Sequence, residues 1–160
     1  MSEFVNSIPK EGKGYVIPAM QDFEYDQATA LAYSIKTNNK DAKVAIVTNY
    51  TDRIPHHYHE AFDHMITLPF GSSETTRCND WQIYWATPFV DTIVIDPASL
   101  VKENHDSIWD FLTDQCDVCF FNKAYNFKGE QLANKKMQIF KEDYDTVSYT
   151  HLRAHETHEH

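Results

Sequence analysis

Residues 78–112 read CNDWQIYWATPFVDTIVIDPASLVKENHDSIWDFL, and the fold turns on how this stretch divides. At its centre Thr92–Ile95 (TIVI) is a short β-branched apolar run that closes on Asp96, the pattern of a strand buried on both faces. Before it, Asn79–Ala86 (NDWQIYWA) carries Trp81, Tyr84 and Trp85 on one side at helical spacing, and Pro88 stops it. After it, His105–Leu112 (HDSIWDFL) offers Ile108, Phe111 and Leu112 as an apolar helix face. A helix, a buried strand and a helix in succession mark a parallel α/β unit.

The pattern repeats outward. Tyr15–Ala19 (YVIPA), Val44–Thr48 (VAIVT) and Val118–Phe121 (VCFF) are further apolar runs, and His64–Leu68 (HMITL) is a weaker one. Between the first two, Asp26–Thr37 places Ala28, Leu31, Ala32 and Ile35 on one helical face, with Asp26 as the expected N-cap. The sequence therefore predicts an α/β fold around a mostly parallel sheet, with no internal repeat.

The totals bound the function. At 160 residues, 42% hydrophobic and 14% aromatic, the chain is sized for one globular domain. A formal charge of −10 argues against nucleic acid as a partner, since no basic surface is available to displace phosphate counterions. No apolar run approaches the ~20 residues of a membrane span. The opening MSEFVNSIPKEGKG lacks the basic-then-apolar layout of a signal peptide, and three cysteines fit reduced thiols, so the expected location is cytoplasmic.

Residues 1–13 have no periodicity and are expected to form a flexible leader ahead of a domain spanning 14–145. From Thr146 the chain reads TVSYTHLRAHETHEH, with His151, His155, His158 and His160 crowded together. This string resembles the translation of a sequencing adapter. The expectation for 146–160 is a disordered, non-native tail, with the native protein continuing past Asp145; a natural tail or a histidine-rich tag are the alternatives.

In open α/β sheets ligands bind beyond the carboxyl ends of the strands. Met20, Gln21 and Asp22 come after the first run, Asn49, Tyr50, Thr51 and Asp52 after the second, and Asp96 closes TIVI. Three such exits could share one pocket, although polar exits are common to α/β proteins generally.

Residues 78–112 also resemble GT-A glycosyltransferases, especially phage and bacterial members of the glycogenin-like kind. In that family a helix of the form N-x-W-K…(T/S)-P-Y leads to a strand ETIVLDADMLV and then to a helix D…(W/L)-(W/F)-(D/E). Asn79, Trp81, Thr87, Pro88 and Phe89 match the approach, Thr92 to Asp96 match the strand, and Leu100 and Val101 match the segment after it. GYVIPAMQDFEYDQATALAYSIK is similar to the family's first strand, nucleotide-contacting turn and A-x-x-L-x-x-S-(L/I)-K helix. Phe127, Lys128, Gly129 and Glu130 are similar to its (Y/F)-(R/K)-G-E stretch.

The resemblance implies a GT-A Rossmann-like sheet truncated on its C-terminal side. It implies transfer of a sugar from a nucleotide-diphosphate sugar to an acceptor the sequence does not name. The departing diphosphate is doubly charged, and Mn²⁺ or Mg²⁺ held by oxygen ligands neutralises it in this family. The family's Asp-x-Asp turn falls on Asp96-Pro97-Ala98-Ser99, where the second aspartate is alanine. By the same resemblance Ala19, Met20 and Gln21 border the base, and Asp96 lies nearest sugar and metal. Ser99 offers a hydroxyl, and Gln82 stands where the family carries a basic phosphate contact. Gln82 can hydrogen-bond but cannot neutralise charge. The metal site is thus weakened, and a catalytically inactive nucleotide-sugar-binding or structural protein is the alternative function.

A third class rests on PHHYHEAFDH. If residues 55–64 are helical, His57, Glu60 and His64 share a face able to hold zinc, with His56 and Glu60 as a second pair; a solvated helix face accounts for the same residues. Cys116-x-x-Cys119 lacks a second CxxC and reads as buried strand thiols. Trp81, Tyr84 and Trp85 could stack a base, but packing against the sheet explains them more simply. Lys40, Lys43, Lys135 and Lys136 are too sparse for a phosphate track, and Glu142, Asp143 and Asp145 form a solvated run.

Overall fold

In the computed structural model the described residues are 9–71, 79, 81–104, 106–115, 118–120, 128, 130 and 149–153. Strands β1 (Lys13–Pro18), β2 (Val44–Thr48), β3 (His64–Thr67), β4 (Asp91–Ile95), β5 (Val118–Phe120) and β6 (Tyr149–Arg153) form one sheet in the order β3-β2-β1-β4-β6-β5. β1, β2, β3 and β4 run parallel, while β6 pairs antiparallel with β4 and β5.

The central strands are β-branched runs because both faces are covered. Tyr15, Ile17, Val44, Ile46, Ile93 and Ile95 point to one layer, which also holds Leu31, Ile35 and Trp109. Val16, Ala45, Val47 and Val94 point to the other, against Ile83, Ala86 and Phe89. Strict alternation along each strand assigns residues to layers, and burial on both sides removes the polar half of the pattern.

Helix α1 (Asp22–Asn38) covers the first layer with Tyr25, Ala28, Thr29, Leu31, Ala32 and Ile35 buried. It starts one turn before Asp26, the cap expected from the sequence. Gln21 is the N-cap, and Glu24 reaches back to accept the N–H groups of Met20 at 2.6 Å and Gln21 at 3.1 Å. The carboxylate satisfies donors that the first turn leaves without intrahelical partners. Asp26 instead accepts the hydroxyl of Tyr58 at 2.6 Å, tying α1 to the chain between β2 and β3.

Helix α2 (Ile83–Ala86) is short and packs on the second layer through Ile83 and Ala86. The aromatic residues point away from that contact: Trp81 is 55% exposed and Tyr84 37%. Packing against the sheet therefore does not explain them. They form a partly exposed cluster with Phe70 and Trp85, in which Phe70 and Trp81 stack at 5.5 Å. Helix α3 (Asp106–Gln115) buries Trp109 in the first layer.

The histidine segment is not an α-helix. His56–Ala61 is a 3₁₀ turn, Phe62 is extended, and His64 already belongs to β3. His57, Glu60 and His64 thus share no helical face. The rings are used otherwise: His56 stacks on His59, His64 meets Phe89 edge-on, and His59 Nε2 lies 3.1 Å from the Ile54 carbonyl.

Tyr149–Arg153 also departs from expectation. Instead of continuing a structureless tail it inserts as β6, with Asp91 opposite Arg153 and Ile95 opposite Tyr149. Cys116, Phe127, Gly129, the segment carrying Lys135, Lys136, Glu142, Asp143 and Asp145, and residues 154–160 lie outside the described residues. Among the described residues no helix is long and apolar enough to cross a membrane.

Candidate functional site

The chain reverses its direction of travel across the sheet between β1 and β4. β2 and β3 are added on one side of β1, and β4 on the other. Because these strands are parallel, the exits of β1, β2 and β4 emerge at one edge. The register makes this quantitative. Pro18 is opposite Val47, and Val16 is opposite Val94, which brings Pro18 level with Asp96. Neighbouring exits are therefore one strand spacing apart, about 4.8 Å. In doubly wound sheets this switch point is where ligands lie.

At the β1 exit the Ala19 N–H donates to the Val47 carbonyl at 2.9 Å, which buries Ala19 and most of Met20; Gln21 is exposed. Thr48 at the end of β2 is held by the Tyr25 hydroxyl at 2.9 Å, fixing the exits of β1 and β2 against α1.

At the β4 exit Asp96 is exposed and opens a tight turn. Its Oδ1 accepts the N–H of Ala98 at 2.8 Å, and its carbonyl accepts the N–H of Ser99 at 3.1 Å. Aspartate at the first turn position and proline at the second suit this geometry, the carboxylate mimicking a backbone acceptor and Pro97 presetting φ. Ser99 is half-buried and Ala98 exposed, so a methyl group faces outward where a second carboxylate would stand.

Gln82 does not join these exits. It is 3% exposed, its Oε1 accepts the Phe70 N–H at 3.0 Å, and its Nε2 donates to the Gly71 carbonyl at 2.8 Å and to Asn79 Oδ1 at 3.1 Å. The side chain expected beside a phosphate instead clamps the chain leaving β3 to the start of α2. Its burial could not be seen in the sequence, where polar glutamine on a short helix looks solvated.

The β2 exit adds a residue that sequence reasoning missed. A 3₁₀ turn, Thr51–Arg53, comes after Tyr50, and the Arg53 guanidinium lies 4.5 Å from the Tyr50 ring centroid. Both side chains are exposed. The available signal was one positive charge immediately after Asp52, beside exits that otherwise carry Asp22 and Asp96.

At the β4 exit one oxygen of the Asp96 carboxylate is already engaged by the turn. Among the described residues no group of three or more His, Cys, Asp and Glu side chains is arranged to hold a metal ion. A hard divalent cation takes about six or more oxygen ligands. Asp96 is a thin protein ligand set for Mn²⁺ or Mg²⁺, whose shell would have to be completed by water and phosphate oxygens.

A cavity of about 270 Å³ lies at the opposite edge, where the strands begin, lined by Lys13, Tyr15, Lys43, Asp106 and Trp109 among others. Its polar groups serve the fold: Asn39 and Asn104 both donate to Asp106, and the Lys13 ammonium lies 5.5 Å from the Trp109 ring centroid.

No family model and no curated protein matches the sequence. Solved structures do match in fold, glycosyltransferases among them. The apo bifunctional glycosyltransferase WbbM superposes with a TM-score of 0.55 at 13% identity, over 92% of this chain and 32% of its own. The galactosyltransferase LgtC, solved with donor and acceptor sugar analogues, gives a TM-score of 0.56 at 13% identity, over 88% of this chain and 57% of its own. The chain has the α/β fold of GT-A glycosyltransferases and spans about a third of one of these structures and just over half of the other.

Proposed function

We propose that this chain is the donor-binding part of a glycosyltransferase, holding a nucleotide-diphosphate sugar at the switch point between β1 and β4. The observation that supports the reading is the level register of the β1 and β4 ends, which brings Pro18 level with Asp96. In this arrangement the β1 exit borders the base. Asp96 accepts hydrogen bonds from sugar hydroxyls through the oxygen its turn does not use, and Ser99 contributes a hydroxyl near the diphosphate.

Thermal-shift titration with UDP, GDP and their sugars, with and without Mn²⁺, tests the reading. A ligand at 100 times its Kd stabilises the folded state by about 2.7 kcal/mol, so occupancy registers as a rise in Tm. Failure of every nucleotide to move the Tm sinks it. Ala98→Asp places a second carboxylate on the turn and is expected to make nucleotide binding stronger in Mn²⁺; unchanged binding with and without the ion counts against the placement of Asp96.

A second reading, a protein that binds the donor without transferring it, is favoured by Ala98 and by the engagement of Gln82. It predicts nucleotide binding without release of sugar from any bound donor.

A further inference from the structure

We infer that the guanidinium of Arg53, rather than a divalent cation, supplies the positive charge that binds the donor's diphosphate; the inference rests on the donor-binding function proposed for this edge. The electrostatic need is plain. The exits carry Asp22, Asp52 and Asp96, all exposed, with Glu24 at the β1 turn. A nucleoside diphosphate brought among these carboxylates is repelled unless a cation intervenes. The turn at Asp96 offers one partly engaged carboxylate and the methyl of Ala98, which is a poor cage for a metal. Gln82 is neutral and already makes three hydrogen bonds.

Several other cations are spent at the opposite edge. Lys36 and Lys43 each pair with Asp63 at 3.0 Å, and Lys13 lies against Trp109. Lys102 comes after Val101, whose backbone is bound to Ser34 and Asn38 near the C-terminal end of α1, so the chain has left the carboxyl edge by then.

Arg53 lies on the first turn after β2 and is exposed. β2 pairs directly with β1, and only β1 separates it from β4, so the ends of these two strands are about 10 Å apart, while the turn bearing Arg53 starts three residues past β2 and lies against β3. An extended diphosphate sugar spans that interval. The turn that carries Arg53 is fixed by the Arg53 N–H donating to the Tyr50 carbonyl at 3.2 Å, the Ile54 N–H donating to the Thr51 carbonyl at 3.3 Å, and burial of Ile54 at 3% exposure. The guanidinium carbon lies 4.5 Å from the Tyr50 ring centroid, and the planar guanidinium is the side chain suited to grip two phosphate oxygens at once.

Isothermal titration of the full chain with UDP and GDP, once in Mn²⁺ and once in EDTA, provides the test. Wild type is expected to bind in EDTA with a Kd within about threefold of that in Mn²⁺. Arg53→Gln should weaken binding roughly tenfold or more, the loss of a charge-assisted contact, and Arg53→Lys should fall between because it cannot bind in fork geometry. The exposed position predicts an unchanged Tm for both variants. Wild-type binding that vanishes in EDTA, or Arg53→Gln binding as wild type does, overturns the inference while leaving the donor reading intact. No binding of either nucleotide to wild type overturns the donor reading itself.

Discussion

The two edges of the sheet use the same residue types for opposite ends. At the amino edge, acids, amides and lysines are cross-linked. Asp63 accepts the Val44 N–H and pairs with Lys36 and Lys43, Asn38 donates to Val101, and Asn39 and Asn104 donate to Asp106. At the carboxyl edge Gln21, Asp22, Asp52, Arg53 and Asp96 are exposed, their backbones set by tight turns. One edge holds the fold, and the other presents chemical groups on a rigid frame. Polar residues alone therefore mark neither a site nor a clamp; what separates the two is whether a side chain's partners come from distant parts of the chain.

The largest loss of stability is expected at Trp109. It is 2% exposed and meets Tyr15 edge-on at 5.3 Å. Trp109→Ala is expected to lower unfolding free energy by about 3–5 kcal/mol in chemical denaturation. Next comes Gly14, where a Cβ would sit 2.5 Å from Phe89 ring atoms. Gly14→Ala should cost about 1–3 kcal/mol by overpacking, and a double variant with Phe89→Leu should recover part of it.

Asp63→Asn should cost about 1 kcal/mol, since its partners are partly solvated. Desolvation pulls the Asp63 pKa upward, but the Val44 N–H, Lys43 and Lys36 outweigh it and bring the value from 3.8 to about 2. The folded pKa is the lower one, so this stabilisation is present above about pH 4 and is lost as pH falls from there through about 2. Acid titration of stability should show a smaller loss over that window in Asp63→Asn than in wild type. The smallest effects belong to the carboxyl edge: Asp52→Asn and Asp96→Asn should change stability by no more than about 0.5 kcal/mol. A loss above about 1 kcal/mol at Asp96 would mean that this edge too is structural.

The strands are the most legible part of the fold. VAIVT, bounded as expected, is buried at all five positions, and a run covered on both faces has little freedom to be anything but β-branched and apolar. The start of α1 is obscured because Asp26 is a strong cap type and the preceding turn lacks apolar periodicity; Glu24, three residues after Gln21, is the signal of a capping box. The bulk of Trp81 and Tyr84 suggests burial against the sheet, whereas Ile83 and Ala86, three apart, make the contact. β6 is invisible in the sequence because YTHLR alternates weakly and derives its pairing from the exposed edge of β4.

The gathering of three exits at one edge comes from reading the strands as parallel, and the register bears out their adjacency. The sequence could not reveal that Gln82 is consumed inside the fold, because that depends on Phe70, Gly71 and Asn79 converging on it. Nor could it show the approach of Arg53 to the Tyr50 ring, which requires the 3₁₀ turn after β2.

Hydrogen exchange of the full chain with and without saturating UDP or GDP, read out by mass spectrometry, bears most directly on the division between the edges. Slowed exchange is expected in peptides covering 19–24, 49–54 and 96–101, with none in those covering 39–44 and 106–110. Protection confined to the latter pair would place the ligand in the amino-edge cavity and contradict the account.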